Sequence, residues 1–267
     1  MGKLTMPRIA LLATGLIGAW SQSHGPCSAP RLLPAYAHND YYNRHPLEDG
    51  LALGFQGVEA DYILVNGRLL VAHGRRDARE TRTLEGLYLA PLRLRIQHCG
   101  WVQSPEQAFL LNIKSKENSL DGYRVLRQLL RSYADLFGTR DNPGPVRAVL
   151  VGWHPSLSQI AADSGPLIAV QARITRSGLE LPEGDTTLIG MVSLDYGETM
   201  RWKGQGELTQ DDRRTLERIK EVHRLLPGRT IRAYDVPPDS AVYHRLLQAG
   251  VDLIGLKDLQ QGQRLAP

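Results

Sequence analysis

The stretch TIRAYDVPPDSAVYHRLLQAGVDLIGL, residues 230–256, decides the fold. Thr230–Tyr234 is a short β-rich run. Ser240–Ala249 is longer and amphipathic, and Val251–Leu256 is again short and apolar. A strand, a helix and a second strand in that order make a β–α–β unit, whose helical crossover joins strands that run parallel. Toward the N-terminus the rhythm repeats. Strands are expected at Leu33–His38, Gly57–Val65, Ala108–Lys114, Val146–Trp153, Leu167–Ile174 and Thr187–Leu194, and helices at Pro46–Gly54, Ser119–Phe137, Ser156–Ala162 and Thr209–Leu226. Asn66-Gly67 is a strong hairpin signal, so Arg68–His73 pairs back on the strand before it. Residues 75–105 show no strong period and read as an irregular insertion after the second strand. Eight strands alternating with helices across residues 33–267 match a single α/β domain, a (β/α)8 or TIM barrel. An open doubly wound sheet is the alternative. The chain has no G-x-G-x-x-G after a strand, no P-loop and no G-x-S-x-G elbow, which removes the commonest chemistries of open sheets.

Composition narrows the function. Of 267 residues, 42% are hydrophobic and 22% charged, a globular balance that excludes wholesale disorder and fibres. The net charge is +4 and the isoelectric point about 9.1. The clusters Arg75–Arg76, Arg93–Arg95 and Arg213–Arg214 are each interrupted by acidic or apolar residues, so they read as solvated surface rather than a nucleic-acid patch. No obligate protein partner is expected. A mildly basic surface suits an anionic substrate or a transient contact with lipid headgroups.

The first residues read as an address. Lys3 and Arg8 supply a positive start, and Ile9–Trp20 is an apolar stretch of signal-peptide length, too short for a comfortable membrane span. Cleavage near Ala19-Trp20-Ser21 would remove residues 1–23, leaving a short segment, 24–32, before the barrel. The expected destination is the periplasm or the exterior. There Cys27 and Cys99 could pair, and the sequence leaves that open.

In a barrel of this kind the chemistry sits at the C-terminal ends of the strands. The first strand ends in His38-Asn39-Asp40. The second carries Glu59 and Asp61 two residues apart, hence on one face. The returning strand ends in His73, and the next presents Asn112 and Lys114. Two carboxylates on one face repel unless something positive lies between them, and a hard divalent cation is the simplest answer. Two histidines beside it could serve as general acid and general base, and a lysine could stabilise an anion. That combination suits phosphate-ester cleavage. Trp153, Tyr234, Asp195 and Lys257 lie near strand ends and could line the pocket. A glycosidase is disfavoured, because Glu59 and Asp61 on one strand are poorly placed to flank a scissile bond.

The motifs A-H-N-D-Y at 37–41, G-V-E-A-D at 57–61, A-H at 72–73 and N-I-K at 112–114 resemble the glycerophosphodiester phosphodiesterase and phosphatidylinositol phospholipase C superfamily. The H-N-D-Y form and the segment Ile231–Pro237 with Gly250-Val251-Asp252 resemble its altered inheritance of mitochondria protein branch. The resemblance implies a TIM barrel that hydrolyses a glycerophosphodiester or phospholipid headgroup. It implies His38 and His73 as the acid–base pair and one divalent cation, Mg²⁺ or Ca²⁺, on Glu59, Asp61 and Asn112. Lys114, with Asn39, Trp153 and Tyr234, would contact substrate. Asn112 falls where the family usually has a third carboxylate, Asn39 where many members have Arg, and Gly74 where many have Asp. These departures keep a second expectation open: a catalytically weak or inactive barrel that binds a phosphorylated ligand or a lipid surface.

Overall fold

The computed structural model describes Cys27, residues 30–163 and residues 165–265. The expected signal peptide lies outside the described residues. Ten strands form: β1 Ala35–Ala37, β2 Gly57–Val65, β3 Arg68–Val71, β4 Phe109–Ser115, β5 Val146–Val151, β6 Ile168–Ile174, β7 Leu179–Glu180, β8 Ile189–Asp195, β9 Thr230–Tyr234 and β10 Leu253–Leu256. The helices are α1 Glu48–Ala52, α2 Ala90–Cys99, α3 Leu120–Arg131, α4 Ala134–Phe137, α5 Leu157–Ala161, α6 Tyr196–Thr199, α7 Gln210–Leu225 and α8 Ser240–Ala249. The strands are hydrogen-bonded in the order β1-β10-β9-β8-β6-β5-β4-β2, and β1 pairs with β2, which closes the ring. Every pairing in that ring is parallel. The expected TIM barrel is therefore observed. β3 and β7 are antiparallel additions to β2 and β6, and the Asn66-Gly67 turn makes the first of these hairpins.

Side chains alternate along each strand between the barrel axis and the helical layer. The lower axis is filled by Leu110, Val149, Ala169, Met191 and Leu253, with Tyr36 above them. The outward faces join the helices in a second, larger core. Tyr36 is fully buried, and it fits because residue 255 has no side chain. A Cβ there would lie 2.5 Å from the Tyr36 hydroxyl oxygen. Polar caps start the longer crossovers: Thr209 and Asp212 form a reciprocal box at α7, and Asp239 accepts from two backbone N–H groups of α8.

Two expectations are corrected. Residues 75–105 are not an irregular insertion: they hold a π-helical turn, Glu85–Leu89, running into α2. Leu84, Tyr88, Leu89 and Leu92 are fully buried, whereas Leu94 faces solvent. The π turn shifts the helical phase, so no single 3.6-residue stripe is legible. The expected helix Ser119–Phe137 breaks at Ser132-Tyr133 into α3 and α4. Cys27 and Cys99 are disulfide-bonded with Cα atoms 5.3 Å apart, tying the segment before β1 to the end of α2. Among the described residues no helix is long and apolar enough to cross a membrane.

Candidate active site

Register builds the mouth of the barrel. Pairing of β2 with β4 sets Glu59 beside Asn112 and Asp61 beside Lys114. On β9 Arg232 and Tyr234 are two residues apart and share the inward face. His38 follows β1 directly and donates its backbone N–H to Leu256 O.

Arg232 organises a first cluster around the barrel axis. Its Nη1 donates to Glu59 Oε2 at 2.7 Å and its Nε to Ser193 Oγ at 2.9 Å. The guanidinium carbon lies 4.9 Å from the Tyr36 ring centre and 5.3 Å from that of Tyr234. The side chains of Arg232 and Glu59 are each only 2% exposed. The second oxygen of Glu59, Oε1, stands 3.7 Å from His38 Nε2 and 4.0 Å from Lys114 Nζ. Burial pushes the Glu59 carboxyl up, but Arg232, His38 and Lys114 outweigh burial and hold it below the usual carboxylate range. Burial pushes the His38 imidazole down, and the Arg232 charge adds to this against the pull of Glu59 and Asp235. The downward shift favours the neutral form, the state a general base needs.

A cavity of about 290 Å³ opens on this cluster, lined by His38, Glu59, Lys114, Gln171, Arg173, Arg232 and Tyr234 with the backbone turn at Val151–Gly152. A neighbouring cavity of about 440 Å³ also includes His38 and runs past Lys203, Asp235, Lys257 and Gln261. Lys257 Nζ donates to Asp235 Oδ1 at 2.7 Å, and that oxygen is 3.9 Å from His38 Nδ1.

The second cluster lies one step further along β2. The Tyr41 hydroxyl donates to Asp61 Oδ2 at 2.9 Å and is 3.0 Å from His73 Nδ1. Lys116 Nζ lies 3.5 Å from both ring nitrogens of His73, so the imidazole sits between the Tyr41 hydroxyl and an ammonium group. Asp61 Oδ2 is itself 3.2 Å from His73 Nδ1 and 3.3 Å from Lys116 Nζ. Asp61 is fully buried, while half of the His73 side chain is exposed.

The structure thus brings His38, Glu59, Lys114 and Tyr234 to one cavity and holds Asp61 and His73 in a separate cluster. Asn112 is fully buried beside Glu59. Asn39 adopts a left-handed turn conformation before Asp40 and lines neither cavity. Trp153 packs half-buried against the outer core, also away from both. Asp195 caps α6. Arg232, Arg173, Lys116 and Tyr41 were missed by sequence reasoning. The signal available was the two-residue period: Arg232 precedes Tyr234 by two, and Lys116 follows Lys114 by two.

The divalent cation implied by the motif resemblance would rest on Glu59, Asp61 and Asn112. Glu59 Oε1, Asp61 Oδ1 and Asn112 Oδ1 are buried without hydrogen-bond partners, so lone pairs are available. The rest of the chemistry does not fit. Asn112 carries no charge, and its equally unpartnered Nδ2 is a donor that calls for an acceptor. Arg232, Lys114 and Lys116 set three cations against the two carboxylates. Among the described residues, no three His, Cys, Asp or Glu side chains stand together as a ligand set. The residues present fit an anion instead.

In fold the chain is similar to an Oleispira antarctica phosphodiesterase solved in complex with the product sn-glycerol-3-phosphate: the TM-score is 0.53 at 14% identity, covering 87% of this chain and 96% of that one. More particularly, residues 31–136 match the AIM6-like phosphodiesterase domain. The chain is 28% identical to Altered inheritance of mitochondria protein 6 of Eremothecium gossypii, covering 92% of this chain and 75% of that protein. The Saccharomyces cerevisiae protein of the same name is 28% identical over 149 residues, 46% of this chain and 38% of that protein. The branch resemblance read from the motifs holds.

Proposed function

We propose that the mouth of this barrel binds the phosphate of a glycerophosphodiester or a phospholipid headgroup and hydrolyses the ester with His38 and His73 as the acid–base pair. The observation that carries the reading is the 290 Å³ cavity, in which Lys114 and Arg232 stand against Glu59, with His38 and Arg173, itself paired with Glu198, also in the lining. Such a site attracts a phosphoryl group and spreads its charge over preorganised donors. His38 takes the proton of the attacking oxygen as the new P–O bond forms. His73, oriented by Tyr41 and Asp61, gives a proton to the departing oxygen as the old bond breaks. The 440 Å³ cavity that shares His38 is lined by Lys203, Asp235, Lys257 and Gln261, and suits a polar, hydroxyl-bearing group better than an acyl chain. The Cys27–Cys99 bridge supports an exported protein, since such bonds persist in oxidising compartments.

The second reading, a barrel that binds a phosphorylated ligand without turnover, is favoured by one observation: His73 lies outside the cavity lining. A panel of glycerophosphodiesters and lysophospholipids, incubated with the mature protein in EDTA, in Mg²⁺ and in Ca²⁺, separates the two. Release of a phosphomonoester supports the hydrolase. Tight binding of sn-glycerol-3-phosphate with no turnover on any member of the panel would replace it with the binding barrel.

A further inference from the structure

We infer that this site holds its phosphate with resident cations in place of a divalent metal ion, Arg232 and Lys114 supplying the charge. The inference rests on the phosphate-site reading above. A guanidinium has five N–H donors. Two of those of Arg232 are spent on Glu59 and Ser193, and the remaining three belong to a group that lines the cavity. Burial, the ion pair and the flanking Tyr36 and Tyr234 rings fix that group in place, so little is lost in ordering it when an anion arrives. Lys114 approaches the other carboxylate oxygen of Glu59, Oε1, from β4 and stays one-third exposed, free to swing toward a ligand. In this arrangement Glu59 is a positioning residue: it keeps Arg232 aimed across the barrel rather than ligating a cation.

The test is calorimetric titration of sn-glycerol-3-phosphate into the wild-type protein in EDTA, in Mg²⁺ and in Ca²⁺, with each metal also titrated alone. The expected result is one Kd, constant within about twofold across the three buffers, and no saturable uptake of either metal. Binding that appears only with metal, or tightens more than tenfold with it, overturns the inference while leaving the phosphate site standing. No binding in any buffer overturns both. Lys114→Met, at a partly exposed position, should weaken binding at least tenfold in EDTA at an unchanged Tm. Unchanged affinity in that variant also rejects the inference.

Discussion

At the scale of single residues, the A-H-N-D-Y motif divides its labour. His38 faces the cavity, while Tyr41 holds Asp61 and His73 in one hydrogen-bonded line. Removing that hydroxyl should leave phosphate binding alone and disturb proton delivery. Tyr41→Phe is expected to lower kcat roughly ten- to a hundredfold with KM within about twofold, the pattern of an interaction made for the transition state. Equal losses in binding and turnover would show that Tyr41 merely supports the fold. The histidines, Glu59, Asp61 and Lys114 were legible because strand ends and two-residue spacing are local signals. Arg232 was not, since its partner Glu59 lies 173 positions away and no local spacing announces a salt bridge across a barrel. Two carboxylates on one face call for positive charge, and Arg232 and Lys114, which stand against Glu59, reach it from other strands.

Among the elements, Asp40 is the joint between β1, α1 and the π turn. Its Oδ2 accepts from Leu47 N–H at 2.6 Å and from the Tyr88 hydroxyl at 3.0 Å, and it is fully buried. Burial outweighs these donors and pushes its carboxyl up to about 6 from the ordinary 3.8. A raised acid binds its proton more tightly in the folded state. The stabilisation is therefore complete below about 3.8 and fades as pH rises through about 6. Denaturant titrations of wild type and Asp40→Asn, which does not titrate, should show their stability difference moving by about 1 kcal/mol in favour of the variant between pH 5 and pH 8. A difference that ignores pH would contradict this. The eight barrel strands and β3 were readable to within a few residues because alternation and the Asn-Gly turn both act locally, whereas the two-residue β7 was not. α2 was unreadable because a π turn displaced its buried face, and α3 and α4 merged because both continue one apolar pattern.

For the whole molecule, the ring is closed by hydrogen bonds between β1 and β10, and the disulfide ties the segment ahead of β1 to α2 across a separation of 72 residues. Loop closure of that length favours the folded state by constraining the unfolded chain, typically by about 2–4 kcal/mol. Cys27→Ser should accordingly lower Tm by roughly 5–12 °C, and an unchanged Tm would show that the bridge restrains nothing. The family-model match stops at residue 136, whereas Arg173 and Arg232 lie beyond it, so most of the cavity lining is contributed by later parts of the chain. Only closure of the barrel brings these parts together, and the strand count, which made closure readable, could not say which side chains would meet at its axis. The central claim is that His38 and His73 cleave a phosphodiester held there. The most direct measurement is steady-state hydrolysis of a glycerophosphodiester by wild type, His38→Ala and His73→Ala, alongside the affinity of each for sn-glycerol-3-phosphate. The expected result is a loss of at least about a hundredfold in kcat for both variants, with product affinity held within about threefold. Turnover undiminished in either variant would contradict the claim.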